Sequence, residues 1–219
     1  MANIDALYAE LLAAYGPQCW WPADTAFEVA VGAVLVQRTA WRNAERALAA
    51  LRQHDLFDPV ALTRVTPETL ASYVRPAGFA NAKVTYLHAL ASFFAGHGGA
   101  EALGRNGTQQ LRERLLAIRG IGPETADAIL LYGFQRPVWI ADAYAGRLFL
   151  RLWDFRLDGA QQKALLSEWA QAERTEDLQE LHALVVAHGK HRCRAKPLCD
   201  GCPLASGCRY GGAAKAADR

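Results

Sequence analysis

The feature that most constrains the fold of this 219-residue sequence is a group of four cysteines near its C-terminal end. Their spacing is C-x5-C-x2-C-x5-C, which concentrates four thiols in a short stretch of chain. Thiolates at such spacing form a ligand set for a metal ion or an iron–sulfur cluster. The segment is therefore predicted to fold so that four side chains converge: Cys193, Cys199, Cys202 and Cys208.

Disulfide bonds and a structural zinc ion are two other interpretations of these cysteines. The sequence has no secretory leader pattern, so we expect a reducing compartment, where disulfides are rare. Four-cysteine zinc sites commonly combine two C-x2-C pairs, whereas only Cys199 and Cys202 form such a pair here. The spacing therefore favours a cubane cluster. The fifth cysteine, Cys19, stands apart and is predicted to be a buried thiol.

Apolar residues recur at spacings of three and four along nearly the whole sequence, which is the period of an amphipathic helix. No segment alternates like a half-buried strand, and no apolar run reaches the roughly 18 residues that a membrane span needs. We therefore predict an all-α fold without a membrane partner. The glycine-rich stretch Gly96–Gly107 is predicted to connect two helices. The predicted helices include Phe27–Val36, Lys83–Phe94, Glu124–Tyr132, Ala143–Leu152, Gln161–Ala172 and Asp177–His188.

Basic residues cluster around the cysteines, although the net charge of +2 would not by itself suggest a nucleic-acid partner. Lys190 and Arg192 precede the first cysteine of the four. Asp200 is the one acidic residue between Lys190 and Arg209. Such a patch can contact DNA phosphates, or it can be a solvated surface that offsets the charge of the thiolates. Charge alone leaves both interpretations open.

A second motif lies in Leu115–Ala128, where Gly120 and Gly122 interrupt two helical segments. Pro123 follows at the first turn of the next helix, a position that tolerates proline. The two glycines predict a tight reversal, and the amide groups at the following helix start suit a phosphate. Ile121 is predicted to fill the apolar space between the helices. A plain helical hairpin without a ligand is the alternative, because a lone G-x-G is weak evidence.

Asp142 ends an apolar stretch and immediately precedes a predicted helix. An aspartate at this position is either a helix N-cap or a functional carboxylate. Taken by itself the residue favours the cap. The order of the three motifs changes this interpretation, because a hairpin, a Pro-x-x-x-x-Asp segment and a four-cysteine loop follow one another.

In that order, the motifs resemble the endonuclease III superfamily of DNA glycosylases, and the resemblance runs from roughly Asp24 to Cys208. It implies two lobes with a DNA groove between them. One lobe would be a six-helix barrel with the hairpin, residues 24–134. The other would combine residues 1–23 with 135–219 and carry the catalytic aspartate and the cluster loop.

The resemblance assigns a role to each motif. Gly120, Ile121 and Gly122 match the hairpin that grips phosphate, where a monovalent cation is also implied. Asp142 matches the catalytic aspartate, and Gln37 matches the residue that wedges into the duplex. The four cysteines match the ligands of a [4Fe–4S] cluster, although the first interval here is x5 where the family usually has x6. Lys190 and Arg192 are expected to contact DNA.

One departure from the family bears on the reaction. Members that also cleave the strand carry a lysine in the pattern G-x-G-x-K-T-A, and Glu124 takes that position here. A carboxylate cannot form the Schiff base that a lyase requires. The sequence therefore predicts a monofunctional glycosylase that uses water, with Glu124 as a first-turn acid or, less favoured, a catalytic group.

The target base is predicted from the tryptophans Trp20, Trp21 and Trp41. Indole faces bind a cationic base by stacking and cation–π attraction. The stretches Trp20-Trp21-Pro22 and Glu124–Leu130 resemble the 3-methyladenine branch of the superfamily. We therefore expect a pocket for alkylated purines, with Tyr144 near its mouth. A structural role for the rings at a lobe seam is the alternative. Arg147 is expected to form a structural ion pair.

Two rival functions stay open from the sequence. One is a thymine glycol glycosylase and lyase that uses another lysine, and the other is a non-catalytic binder of damaged DNA. In every case the expected partner is double-stranded DNA with a damaged base. We expect a monomer in the cytoplasm, associated with the nucleoid.

Overall fold

The computed structural model describes residues 3–211, which fold into thirteen α-helices and contain no β-strand. The predicted all-α fold is confirmed. The chain divides into two units, one formed by residues 21–136 and the other by residues 1–20 and 137–219. Residues 1–2 and 212–219 of the second unit lie outside the described part. No described helix is long and apolar enough to cross a membrane.

The first unit contains helices α2 to α9, whose core surrounds α2. Every residue of α2 after Ala26 is buried, in agreement with the apolar run that predicted a buried helix. Helix α6 packs against α2, α4 and α5. The bounds are α2 Ala26–Leu35, α3 Trp41–Gln53, α4 Pro59–Arg64, α5 Pro67–Val74, α6 Ala80–Gly96, α7 Gly99–Gly104, α8 Thr108–Leu116 and α9 Pro123–Ala128.

Two short helices in this unit escaped the sequence analysis. Helix α7 lies inside the predicted connector Gly96–Gly107, so that prediction was wrong for its central part. Its residues form a turn of helix because Gly98 and Gly99 adopt the positive φ angles that start it, and Leu103 is buried. Helix α4 begins with Pro59 behind the cap Asp58, whose carboxylate accepts from Ala61 N.

The predicted helix Glu124–Tyr132 changes type along its length. Residues Pro123–Ala128 are α-helical, and Ile129–Gly133 continue as a π-helix. A π-helix is rare, and such a turn is frequent at functional sites. Here it carries Tyr132, whose ring centroid lies 5.4 Å from that of Trp21.

The second unit contains α1 and α10 to α13. The long helix α13 packs against α1, α10 and α12, and ten of its residues are buried. The predicted helix Gln161–Ala172 is broken at Leu166 into α11 and α12. The bounds are α1 Ile4–Tyr15, α10 Ala143–Trp153, α11 Gly159–Leu165, α12 Ser167–Gln171 and α13 Thr175–His191.

Candidate functional site

Asp142 caps the N-terminus of α10. It has extended backbone angles, and its Oδ1 accepts a hydrogen bond of 2.8 Å from the amide of Ala145. The side chain is only 16% exposed. The carboxylate is therefore both a helix cap and a largely desolvated charge.

A histidine from a distant segment completes the surroundings of this carboxylate. Nε2 of His182, on α13, lies 3.5 Å from Oδ2 of Asp142. The imidazole is buried, and the ring of Trp139 meets it edge to face at 6.0 Å between centroids. Trp139 in turn donates from Nε1 to Gln162 at 3.5 Å. The packing of α13 thus holds His182 against the acid.

These contacts decide the charge of Asp142. Burial by itself would raise the pKa of the carboxyl group. The proximity of Nε2 of His182 and the positive potential of this residue, together with the amides of Ala145 and Tyr144, act in the opposite direction and leave the pKa of Asp142 below its ordinary value. Asp142 is therefore an anion at neutral pH.

Lys190 lies in the last turn of α13, in the same unit as Asp142. Its Nζ stands 5.0 Å from the ring centroid of Trp20, a cation–π arrangement. Partial burial lowers the pKa of Lys190, and the charge of Asp142 acts to raise it. Two residues predicted for different roles, the base pocket and the DNA contact, thus meet in one unit.

Tyr144 is packed closely within this unit. A Cβ placed on Gly189 would lie 2.4 Å from Cδ1 of Tyr144, so the ring rests directly on the backbone of α13. The guanidinium of Arg147 lies 5.1 Å from the same ring centroid. Arg147 also donates from Nε to the carbonyl of Cys193 at 2.7 Å. The predicted ion pair of Arg147 is wrong, because a backbone carbonyl and an aromatic ring supply its partners.

In the first unit, the hairpin between α8 and α9 is built around two different glycines. Gly120 has a φ of +89°, and a Cβ there would lie 2.2 Å from Cγ of Tyr86. Gly122 is the N-cap of α9, with open space where a Cβ would be. Ile121 between them is buried, as predicted for a residue filling the space between helices.

Gln37 is tied to this hairpin. Its Nε2 donates to the carbonyl of Gly120 and to Oγ1 of Thr125, each at 3.0 Å. To wedge into DNA, the side chain of Gln37 would have to break these two hydrogen bonds. The expected monovalent cation at this hairpin stays a prediction.

Helix α9 is exposed at Glu124, in its first turn, and is anchored further along at Asp127. Glu124 is the acidic residue of that turn, consistent with a favourable interaction with the helix dipole. Asp127 is buried and accepts from Nε of Arg112 on α8 at 2.7 Å. This ion pair fastens the two hairpin helices to each other.

Trp21 and Trp41 form an aromatic cluster in the first unit. Their rings meet edge to face at 5.2 Å between centroids, and Tyr132 adds a third ring. A Cβ on Gly32 would lie 3.0 Å from Cζ2 of Trp21, so this indole packs against α2. The adjacent residues Trp20 and Trp21 therefore contribute to different units.

The four C-terminal cysteines line one cavity in the second unit. The rest of its wall consists of mainly apolar residues, the imidazole of His188 and two arginines, Arg151 and Arg192. Burial, then the charges of the other three cysteines, raise the pKa of the Cys202 thiol, opposed by the amide of Leu204. Within residues 3–211, no three His, Cys, Asp or Glu side chains form a group that could hold a metal ion. The four cysteines are Cys193, Cys199, Cys202 and Cys208.

Helix α10 connects the Asp142 region to this cysteine loop. Arg151 donates from Nη1 to the carbonyl of Arg194 at 2.6 Å and from Nη2 to that of Ala195 at 2.9 Å. Its Nη1 also lies 3.4 Å from Sγ of Cys193. The helix that begins at the candidate catalytic acid thus holds the loop that begins at Cys193.

One prediction from the sequence is wrong, at Cys19, and two residues of interest, His182 and Phe79, were not predicted. Cys19 is exposed, so the prediction of a buried thiol was wrong; the chain turns there with a φ of +49°. His182 was missed because no local pattern relates it to Asp142. Phe79 was also missed; it is 63% exposed with a φ of +51°, a strained position for an aromatic residue that follows Gly78.

Comparison with known proteins identifies this arrangement. Residues 31–172 match the HhH-GPD superfamily base excision DNA repair protein family. A protein of Methanocaldococcus jannaschii named as a DNA repair glycosylase is 40% identical over 208 residues, 92% of this chain and 94% of that one. An endonuclease III of Sulfolobus acidocaldarius is 29% identical, over 84% of this chain and 82% of that one.

Solved structures agree with the fold. A 3-methyladenine DNA glycosylase of H. pylori bound to 1,N6-ethenoadenine has a TM-score of 0.73 at 27% identity, over 85% of this chain and 95% of that one. A non-covalent endonuclease III–DNA complex has a TM-score of 0.78 at 20% identity, over 99% and 100% of the two chains. This chain belongs to the HhH-GPD superfamily of base excision DNA repair proteins.

Proposed function

We propose that this protein is a monofunctional DNA glycosylase that hydrolyses the N-glycosidic bond of alkylated purines, with 3-methyladenine as the reference substrate. The observation that carries the proposal is Asp142, a largely buried carboxylate kept anionic by His182 and the first amides of α10. Such a group stabilises the positive charge that develops on the sugar as the base departs.

The reaction follows from this charge. The damaged nucleotide leaves the helix at a cost of about a few kcal/mol and presents its anomeric carbon to Asp142. As the glycosidic bond lengthens, the anion of Asp142 stabilises the oxocarbenium-like sugar and orients a water for attack at C1′. A base that already carries a positive charge departs as a neutral molecule, so little acid assistance is needed.

The hairpin supports a water nucleophile for base release. The lyase lysine of the family is replaced by Glu124, an exposed acid in the first turn of α9. No lysine lies between the hairpin and Asp142. An amine from the hairpin therefore cannot compete with water at C1′.

The choice of alkylated purines has two supports. The H. pylori 3-methyladenine glycosylase is a structural relative at 27% identity. The indole of Trp20 already attracts a cation, the Nζ of Lys190. A positively charged purine would gain the same attraction at an indole face, roughly 1–2 kcal/mol when water is excluded.

DNA binding is assigned to the hairpin and to a few further side chains of the first unit. The amides that follow Gly122 have no intrahelical partners, and this small residue lets a phosphate approach them. The exposed Arg119 adds a positive charge on the same turn. Phe79 is a candidate to insert between bases, as apolar side chains do in proteins that kink DNA. Gln37 is the other candidate wedge.

The four cysteines are proposed to hold a [4Fe–4S] cluster. Each thiolate of a cubane binds its own iron atom, so the four sulfurs surround a cavity instead of crowding around one ion, in keeping with the cavity that they line here. Bound there, the cluster would supply structural order to the basic loop. Arg151 and Arg192 on the cavity wall offset its negative charge.

Iron and sulfide content tests this proposal directly. We expect about four irons and four sulfides per chain, with broad visible absorption. Cys202→Ser is expected to lose the absorption, whereas Cys19→Ser, at the exposed fifth cysteine, is expected to keep it. A chain that carries one zinc and no sulfide would contradict the cluster.

Base release tests the proposed substrate. Duplexes with 3-methyladenine, 7-methylguanine, thymine glycol or uracil are incubated with the protein, and each product is divided into alkali-treated and untreated samples. We expect release of the alkylated purines, with strand breaks mainly after alkali. Release of thymine glycol alone would contradict the alkylpurine assignment, and unchanged turnover in Asp142→Asn would contradict the mechanism. The expected setting is a monomer acting on nucleoid DNA in the cytoplasm.

A further inference from the structure

Lys83 is a buried ammonium group that the proposed function does not use. The residue lies in α6 of the first unit and is 2% exposed. Its Nζ donates to the carbonyls of Leu35 and Ala77, both at 2.7 Å. Among residues 3–211 no carboxylate forms an ion pair with it. Burial of a charge without an acidic partner is costly, so the two carbonyls are what stabilises the ammonium in this position.

Both carbonyls belong to the last residue of a helix. Leu35 ends α2, and Ala77 ends a single 3-10 turn, Arg75–Ala77, that comes shortly before α6. The last carbonyls of a helix have no intrahelical donor, and the negative end of the helix dipole favours a cation there. One nitrogen atom of Lys83 thus satisfies two helix ends, which therefore lie side by side.

A residue with a left-handed backbone follows each of these carbonyls. Arg38 has a φ of +53° in the turn after α2, residues 36–39, and Phe79 has a φ of +51° in the turn before α6, residues 78–79. Such angles are unfavourable for residues other than glycine and persist only where surrounding contacts fix the backbone. The ammonium of Lys83 supplies one such contact to both turns.

These two turns carry the side chains that are the candidate wedges, Gln37 and Phe79. Arg38 in the first turn is exposed, as is Arg75 in the 3-10 turn before the second. Exposed arginines attract phosphates, and an exposed aromatic ring can insert between bases. The two candidate wedges are therefore mounted on backbones that share one internal support, the ammonium of Lys83.

We infer that Lys83 is a positioning residue that joins the two turns into one rigid support, so that Gln37 and Phe79 enter the duplex together. The inference rests on the proposed function, which assigns both side chains to DNA. Two inserting groups on one rigid support act like linked binding modules, because insertion of the first places the second at its site. Loss of the ammonium leaves both side chains present but lets each turn move independently of the other.

A double-mutant cycle on DNA binding tests the inference. The probe is a duplex with one tetrahydrofuran abasic analogue, and dissociation constants are measured for the full-length protein, Gln37→Ala, Phe79→Ala and the double variant. We expect each single change to weaken binding about tenfold, and the two together by much less than a hundredfold, as for coupled side chains. Lys83→Met keeps an unbranched side chain of similar length without a donor. In that background the combined loss should equal the product of the single losses.

Val84→Ala, at the next residue of α6, is the matched control. Val84 is buried, so the change removes packing from the same helix but leaves both hydrogen bonds of Lys83. The cycle in this background is expected to keep the coupling between Gln37 and Phe79. Coupling that survives in Lys83→Met, or that is lost equally in Val84→Ala, would overturn the inference.

The same cycle separates the inference from the proposed function. Unchanged binding in both single variants would refute the candidate wedges and the inference with them. Tight but uncoupled wedges would refute the inference alone. The proposed substrate is tested elsewhere, by base release, because the tetrahydrofuran site has no base to lose.

Hydrogen exchange adds a test that leaves Lys83 in place and so does not depend on the folding of Lys83→Met. Saturation with the same duplex should raise the protection of the amides in both turns. Phe79→Ala should reduce this gain in the turn that carries Gln37, and Gln37→Ala should reduce it in the turn that carries Phe79. A loss of protection confined to the substituted turn would show that the turns act independently and would overturn the inference.

Discussion

Two helix N-termini in this molecule are built in opposite ways. At α9 the cap is Gly122, which has no side chain to accept from the following amides. At α10 the cap is Asp142, whose carboxylate accepts from Ala145. Both helix starts attract negative charge. One leaves the position open to a charge from outside, which we propose is a DNA phosphate, and the other fills it with a charge of its own.

This difference explains why similar local structures serve different purposes. A helix start without a side-chain cap can bind an anion reversibly, and it needs a small residue where the anion approaches the backbone amides. A capped helix start lowers the pKa of its own acid and so keeps a buried carboxylate charged. The first suits a grip on DNA, and the second suits the stabilisation of a cationic transition state.

The largest expected effect comes from removing the charge at α10. Asn caps a helix about as well as Asp, so Asp142→Asn should change the free energy of unfolding by about 1 kcal/mol or less. Base release should fall by about 10²–10⁴-fold, because the anion is lost. Single-turnover base release and urea unfolding measure the two quantities. Asp158→Asn, at the capping box of α11, is the matched control, with no effect expected on base release.

The second prediction separates the two hairpin glycines. Gly120→Ala should destabilise the protein by about 2–4 kcal/mol, because the residue combines a positive φ with contact to Tyr86. Gly122→Ala meets no atom of the protein and should leave the free energy of unfolding nearly unchanged, while weakening DNA binding roughly tenfold. Urea unfolding and DNA titration measure these effects. Equal loss of stability in both variants would break the distinction between a structural glycine and a contact glycine.

The third prediction concerns the pH at which Asp142 loses its charge. Since its folded pKa lies below the ordinary 3.8, base release should persist to pH values below that point. His182→Phe keeps the burial but removes the favourable contact, so the acid limb of the kcat/KM profile should move to higher pH. His182→Gln, which retains a donor, should move it less. An unchanged limb in His182→Phe would show that the histidine does not set this charge.

The same pKa has a consequence for stability. A carboxyl group whose folded pKa is depressed contributes stability above its unfolded pKa, and this contribution is lost as pH falls through the folded value. The free energy of unfolding should therefore decrease below about pH 4, and part of that decrease should be missing in Asp142→Asn.

The smallest effect is expected at Gln37. Gln37→Ala removes the hydrogen bonds to Gly120 and Thr125 and should cost about 1 kcal/mol in the free energy of unfolding. Gln109→Ala, on the surface of α8, should change it by less than about 0.5 kcal/mol. If the two variants have the same free energy of unfolding, the contact between Gln37 and the hairpin does not stabilise the start of α9.

Local patterns predicted much of this architecture. The buried helix α2 followed from an unbroken apolar run, and the hairpin followed from two glycines and a proline, since each signal lies within a few residues of its effect. Short helices such as α4 and α7 were missed because one or two turns leave too little periodicity. The exposure of Cys19 depends on what packs over it, and the sequence does not reveal that.

The residues of the candidate site also fall into those that local sequence predicted and those that it did not. Asp142 and the four cysteines were predicted because spacing and motif order carry the information. His182 and the environment of Lys190 were not, because both depend on how α13 packs beside α10 and next to Trp20.

By itself, the sequence determined the all-α class, most of the longer helices, the hairpin, the clustered cysteines and the acid at the start of α10. Tertiary structure alone decided that Asp142 is held as an anion, that Gly120 supports Tyr86 and that the amine of Lys190 lies over an indole. The physical reason is that charge state and close packing depend on burial and on partners from distant segments. Those partners meet only when the chain has folded.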